Sequence, residues 1–286
     1  MQPNKLTDIA AVSHKHPIGV FDSGVGGLSV LKALRAELPH EDFIYVADSG
    51  YGPYGERDDD FVVARSRAIA SALIGHPLRP IKALVIACNT ATAAAIALLR
   101  QDNPAMPIIG VEPALKPALA LSQTKRIGVM ATRGTLASQK FQSLLATLSD
   151  QAEFICQPCD GLADAIERND TEKIIALCAC YTGAISPFGL QDGQVDTLVL
   201  GCTHYPFAST HLHQLLGSEI HLVSNGVPVA RQTRRMLPAQ ATTQLQGQLA
   251  LFSTGNPEHL SAAAQRWLDI GASATALPTT ALSSFS

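Results

Sequence analysis

The chain has 286 residues, 47% of them hydrophobic and 16% charged, with a formal net charge of −3. A chain this long can bury roughly three quarters of its unfolded surface, enough for one large α/β domain or two ordinary ones. The mild negative balance gives no broad electrostatic reason to bind nucleic acid, and no apolar run approaches the roughly 18 residues of a membrane span. A small-molecule partner fits that balance.

In chain order, the opening MQPNKLTDIAAVSHKHP lacks the apolar stretch of a secretory signal, which predicts a cytoplasmic protein. His16 to Gly27, HPIGVFDSGVGG, reads as an apolar strand running into a small, polar turn. Its glycines match neither G-x-G-x-x-G nor the phosphate-binding loop, so no nucleotide cradle is expected there. Gly50 to Gly55 is glycine-rich and reads as a mobile loop, and Asp58-Asp59-Asp60 reads as the solvated first turn of a helix. Ala83 to Leu99, ALVIACNTATAAAIALL, is a buried strand entering a helix at Cys88. Glu112, in GVEP, either touches a site from a strand end or caps the next helix.

Lys125 to Thr135, KRIGVMATRGT, repeats the first strand's design at an offset of 109, aligning Gly19 on Gly128. Thr197 to Leu216, TLVLGCTHYPFASTHLHQLL, repeats the Cys88 segment at an offset of 114, aligning Cys88 on Cys202. Order and spacing are kept, so the chain reads as an internal duplication. The predicted fold is α/β: two pseudo-symmetric, doubly wound lobes with mainly parallel sheets, at 17–115 and 116–225, facing an interdomain cleft. The segment 226–272 is expected to pack back on the first lobe. In open α/β sheets ligands bind beyond the carboxyl ends of the strands, which brings Asp22, Cys88, Thr132 and Cys202 to one cleft.

Six cysteines (88, 156, 159, 178, 180 and 202) are too sparse for a disulfide framework in a chain of this length. Cys156-x-x-Cys159 has no second ligand pair, and Cys178 and Cys180 lie on an apolar helical run, so all four read as packing thiols and no metal site is expected. His211, His213 and His221 read as surface residues. Cys88 and Cys202 differ because symmetry sets them opposite each other. Exchange of an α-proton needs a base on one face of the carbon and an acid on the other, and a thiol beside a helix N-terminus can serve as either. Asp22 is placed to orient a thiol or hold a substrate ammonium, and His204 to tune Cys202. Ser23, Asn89, Thr90, Thr132, Thr135 and Thr203 are short polar groups at turns, suited to an α-carboxylate and to the charge that develops as the proton leaves.

The segments GVFDSGVGGLSV from Gly19, PYGER from Pro53, ACNTAT from Ala87, GVEPALKPA from Gly110, ATRGT from Ala131 and LGCTHYP from Leu200 stand in one order. Together they make the chain, over about Ile18 to Leu237, resemble the glutamate racemases of the aspartate/glutamate racemase superfamily. The resemblance implies a cofactor-independent racemase with Cys88 and Cys202 as its two acid/base residues. It also implies that Asp22, Ser23, Pro53, Tyr54, Gly55, Asn89, Thr90, Thr203 and His204 line the substrate site, and that Glu167 is an auxiliary acidic group near the second thiol. The implied product is D-glutamate for peptidoglycan, hence cell-wall biogenesis and cell shape, made by a monomer or homodimer. Some members with a leader before the first strand need a muramyl-peptide nucleotide activator, and this chain has a leader of about 16 residues.

Two segments depart from the family pattern: Gly50-Tyr51-Gly52 before PYG, and Ser224-Asn225-Gly226 where Asp-Ser-Gly is common. Three alternatives stay open: a racemase for aspartate or another acidic amino acid, a silent two-lobed amino-acid-binding protein, and a thiol hydrolase. The binder needs neither thiol, and the hydrolase leaves one of them without a role.

Overall fold

The structure is a computed structural model that describes residues 16–75, 80–237 and 246–277. Residues 1–15, the leader, lie outside them. The strands are β1 (Ile18–Asp22), β2 (Phe43–Ala47), β3 (Ala83–Ile86), β4 (Ile108–Gly110), β5 (Arg126–Ala131), β6 (Glu153–Pro158), β7 (Thr197–Leu200), β8 (His221–Val223), β9 (Leu249–Ser253) and β10 (Ala274–Ala276). Between them run α1 (Leu28–Glu37), α2 (Asp59–Ile74), α3 (Asn89–Asp102), α4 (Leu115–Leu121), α5 (Arg133–Ala137), α6 (Gln139–Ala146), α7 (Leu162–Glu167), α8 (Thr171–Ile185), α9 (Ser209–Leu216), α10 (Gly226–Met236) and α11 (Pro257–Leu268). None of the described helices is long and apolar enough to cross a membrane.

Among the described residues every strand pairing is parallel, in two sheets ordered β10-β9-β2-β1-β3-β4 and β6-β5-β7-β8. Strands such as ALVI and TLVL are wholly buried because helices cover both sheet faces, which is why they read as unbroken apolar runs. The duplication is exact in topology: β2-β1-β3-β4 and β6-β5-β7-β8 have the same order. It extends to register, since Gly19 pairs with Leu84 and Gly128 with Leu198. Both glycines make room for an isoleucine, for a Cβ there would lie 2.8 Å from Ile81 Cδ1 and 2.9 Å from Ile185 Cγ2.

The chain after β8 returns to the first sheet. Gly226 starts α10 where a Cβ would come within 3.0 Å of Ala33, so α10 sits close against α1. β9 pairs with β2, and β10, beyond residue 272, pairs with β9. α11 reaches the other lobe through Trp267, stacked on Phe207 at 4.4 Å between centroids. Asp58 caps α2, accepting the Phe61 N–H at 2.8 Å. Cys178 is buried on α8, but Cys180 is exposed, contrary to its reading as a packing thiol. Two residues along a helix rotate the side chain by about 200°, so only one of the pair can face the sheet. Cys156 and Cys159 belong to cores on opposite faces of the second sheet.

The crossing into the second lobe, between α4 and β5, is tied by Asp196. Its buried carboxylate accepts from Ser122 Oγ (2.7 Å), the Gln123 and Thr124 N–H groups (2.6 and 3.0 Å) and Thr197 Oγ1 (2.9 Å). Burial would raise its pKa, but these donors hold it below the usual carboxylate range. Its contribution to stability is therefore present above the unfolded-state pKa of about 4 and lost as pH falls through the lower folded value. Asp196→Ala should lower the unfolding free energy by about 2–3 kcal/mol at pH 7, read from the urea midpoint, and this deficit should shrink in acid.

Candidate active site

Cys88 stands two residues past β3 and is the N-cap of α3, where its sulfur accepts the Ala91 N–H at 3.5 Å. Cys202 stands two residues past β7, ahead of a 3-10 turn at Tyr205–Ala208. Both are buried, at 5% and 7% exposure, and both line one cavity between the lobes. The sequence reading expected helix N-termini to draw both thiols towards the thiolate. For Cys88 the opposite holds: burial, and then the neighbouring Asp22, push its thiol well above the usual value, with the Ala91 N–H only partly offsetting them. A helix terminus contributes at most about 2 kcal/mol, whereas taking a charge out of water costs several. Cys88 instead donates to Ser23 Oγ at 3.8 Å. Behind Cys202 lies only the short turn, and its partner is a side chain.

That partner is His204, with Nδ1 at 3.8 Å from Cys202 Sγ and Nε2 donating to Glu167 Oε2 at 2.7 Å. Burial alone would lower the histidine's pKa, but hydrogen bonds to Cys202 and Glu167 raise it well above the ordinary value. Burial likewise opposes ionisation of Glu167, yet His204 and the Val25 N–H (2.9 Å) hold its carboxyl low. The arrangement favours the protonated form of an imidazole held between a sulfur and a carboxylate. Two glycines make space for it: a Cβ on Gly24 would lie 2.3 Å from Glu167 Oε2, and one on Gly26 only 2.2 Å from His204 Nδ1.

Asp22 is wholly buried and accepts from the Gly27 N–H (2.8 Å), the Gly24 N–H (3.3 Å) and the Thr203 hydroxyl (3.4 Å). Among the described residues it hydrogen-bonds neither thiol. Burial lifts its pKa to about 6 against the opposing influence of His204 and the Gly27 N–H.

The cavity measures about 20 Å³, room for roughly one water and far too small for an amino acid. Ser23, Pro53, Gly55, Asn89, Thr90, Thr132, Thr203 and His204 line it with the two thiols. Tyr54 and Thr135 stand back from it: the Tyr54 hydroxyl is spent on Asp48, and Thr135 sits behind Thr132, whose hydroxyl donates to it at 2.9 Å. Glu56, Cys159, Asp160, Gly161 and Ala163 complete the wall without having been singled out in the sequence as cavity residues. Glu112 neither caps a helix nor reaches the thiols; it pairs with Lys140 at 2.7 Å.

Asn89 Nδ2 is buried without a hydrogen-bond partner, while its Oδ1 accepts from Asn225 Nδ2 at 3.3 Å. An unsatisfied donor at a helix N-terminus beside two thiols suits a carboxylate. Asn225, in the segment that departs from the family pattern, thereby orients Asn89. Asp48 and Ser49 also escaped the sequence reading, although Asp-Ser-Gly recurs at 22–24 and 48–50, each time at the end of a strand.

The family described as Asp/Glu/Hydantoin racemase matches residues 18–232. The chain belongs to that family. It is 44% identical over 252 residues to a glutamate racemase of Methylococcus capsulatus, covering 87% of this chain and 90% of that one. A glutamate racemase of Cupriavidus pinatubonensis is 50% identical over 221 residues, 77% of this chain and 79% of its own. Among solved structures, glutamate racemase isoform RacE1 of Bacillus anthracis superposes with a TM-score of 0.79 at 31% identity, over 91% of this chain and 97% of that one. Escherichia coli glutamate racemase, in complex with L-glutamate and the activator UDP-MurNAc-ala, gives 0.76 at 29% identity, over 91% of this chain and 97% of its own. Membership makes this chain an amino-acid isomerase, and the α/β lobes are the family's fold.

Within that family the raised pKa of Asp22 has a kinetic consequence. The folded state favours its neutral form, so its stabilising contribution is full below its unfolded value near 3.8 and is lost as pH rises through about 6. Turnover should show the reverse trend, since only the ionised carboxylate accepts all three donors at full strength. The kcat/KM profile should fall on the acid side with a midpoint near pH 6, and Asp22→Asn should slow the reaction and abolish that limb. A limb unchanged in Asp22→Asn would assign it to another group.

Proposed function

We propose that this chain interconverts L- and D-glutamate by exchanging the α-proton between Cys88 and Cys202, as a cytoplasmic enzyme supplying D-glutamate to peptidoglycan. One observation carries the mechanism: equivalent strands β3 and β7 deliver one buried thiol each to the lining of a single cavity. The names of the relatives supply the substrate.

In this reading the lobes part to admit the amino acid and close on it. Asn89, Thr90 and Thr203 hold carboxylate oxygens, and the N-terminus of α3 favours the negative charge that grows as Cα loses its proton. With one enantiomer, Cys202 takes the α-proton while the His204 imidazolium stabilises its thiolate, and Cys88, kept neutral by burial, donates to the opposite face. The first direction leaves Cys202 as a thiol and Cys88 as a thiolate, and that form of the pair reacts with the other enantiomer. No oxidation change occurs; one C–H bond breaks on one face and one forms on the other.

The test is turnover of each pure enantiomer in deuterated buffer. One deuterium should enter Cα as optical activity decays, and Cys88→Ser and Cys202→Ser should each cut the rate by about 10²–10⁴-fold with circular dichroism unchanged. A single variant with near-normal racemisation would overturn the two-thiol mechanism. Faster turnover of aspartate than of glutamate would redirect the substrate.

We further infer regulation by an anionic nucleotide-linked muramyl peptide. The support is a cleft of about 310 Å³ at the β4–α4 connection between lobes, bordered by Arg100, Lys116 and Gln232 and by Lys140 in its ion pair with Glu112, together with the activator in the E. coli structure. UDP-MurNAc-alanine should raise the rate of the intact chain, and Lys116→Ala should weaken that activation. Rates indifferent to the nucleotide would remove the inference.

A further inference from the structure

The loop between β2 and α2 carries Ser49, Pro53, Gly55 and Glu56 to the site, yet it has little backbone pairing of its own. The Tyr51 and Gly52 N–H groups reach the Asp48 carbonyl, and Arg57 closes on Tyr54. Side chains hold the rest. The Asp48 carboxylate, fully buried, accepts from Arg65 Nε and Nη2 at 3.0 and 2.8 Å, from Thr254 Oγ1 at 2.8 Å and from the Tyr54 hydroxyl. Arg65 thus turns two of its five in-plane donors on Asp48. Its face is covered by Tyr51, whose ring centroid is 3.5 Å from the guanidinium carbon.

This loop also forms part of the seam between the lobes. Ser49 Oγ donates to Glu167 Oε1 at 3.2 Å, touching the carboxylate that holds His204. A Cβ on Gly55 would lie 2.7 Å from Thr132 Cγ2, so the loop rests directly on the second lobe. Displacing it would open the cavity wall at Pro53 and Gly55 and release one of the contacts on Glu167.

We propose that Tyr51 and Arg65 form a latch that holds the loop 49–56 closed over the bound amino acid, making both positioning residues for substrate capture. Neither reaches the reacting atoms. Arg65 draws the loop inward through Asp48 and Tyr54, and Tyr51 stacks over the outer face of the same guanidinium, shielding the ion pair from water. The proposal rests on the reading of this cavity as the glutamate site.

Tyr51 is the cleaner probe. It is 40% exposed, so truncation leaves no large void, whereas removing Arg65 strands a buried carboxylate and threatens folding. A cation–π contact of this kind predicts that Tyr51→Ala raises KM for both enantiomers roughly 3- to 10-fold while kcat changes less than about twofold. Tyr51→Phe, which keeps the ring, should restore the wild-type KM, and Tyr51→Leu should not. Hydrogen exchange over 49–56 should speed up in Tyr51→Ala alone, with the thermal midpoint unmoved. An unchanged KM in Tyr51→Ala, a Phe variant as impaired as the Ala variant, or exchange at the wild-type rate would each overturn the latch. Failure of the wild-type chain to racemise glutamate would instead sink the functional reading, and the exchange measurement would still decide whether the loop is latched.

Discussion

The Glu167 carboxylate is where the two lobes and the second thiol meet. One oxygen accepts from His204 and from the Val25 N–H, and the other from Ser49, so a side chain of the second lobe is held by the backbone and a hydroxyl of the first. Closure and chemistry are coupled as a result. Closure buries Glu167, which by itself would raise its pKa; His204 on the same lobe and the Val25 N–H from the other hold it low, and Glu167 together with Cys202 raises the pKa of His204. The missing side chains of Gly24 and Gly26 make that approach sterically possible.

A symmetric backbone here carries asymmetric electrostatics. Enantiomers have equal free energy, so kcat/KM must be the same in both directions for this enzyme and for any variant of it. Symmetry of the thiols' surroundings is therefore not required. Cys202 has an imidazolium beside it, while Cys88 has a hydroxyl and a buried carboxyl. Such differences can appear in kcat and KM separately, as unequal stability of the two bound forms, but they cancel in the ratio. The duplicated sheets explain why two thiols line one cavity, and the different residues around them make their surroundings unequal.

The closed cavity gives dynamics a definite part. An amino acid cannot enter about 20 Å³, so the lobes or the loop 49–56 must move in every turnover. The chain passes between the lobes at the Asp196-braced crossing after α4 and at the return through Asn225 and α10, and side-chain contacts such as Val25–Glu167, Thr90–Thr132 and the Phe207–Trp267 stack join their faces. The first two lie at chain crossings, where a small rotation moves the far edges of the lobes most.

Much of this was legible in the sequence. Apolar runs ending in Cys88 and Cys202, and the offsets of 109 and 114, determine parallel βα units, their repetition and the meeting of two thiols, because strand burial and strand-end geometry are local and periodic properties. The recurrence of Asp-Ser-Gly at 48–50 was a further signal, present but unread. Other features were decided only by the tertiary structure. Tyr54 and Thr135 carry motif residues yet turn away from the cavity, Asn225 orients Asn89 across 136 positions, and Tyr51 shields a guanidinium fourteen residues on. The Cys88 thiol rises in pKa despite its helix N-terminus. Each of these depends on which groups share a buried volume and how much water is excluded from it, and residue order does not contain that until the lobes have closed.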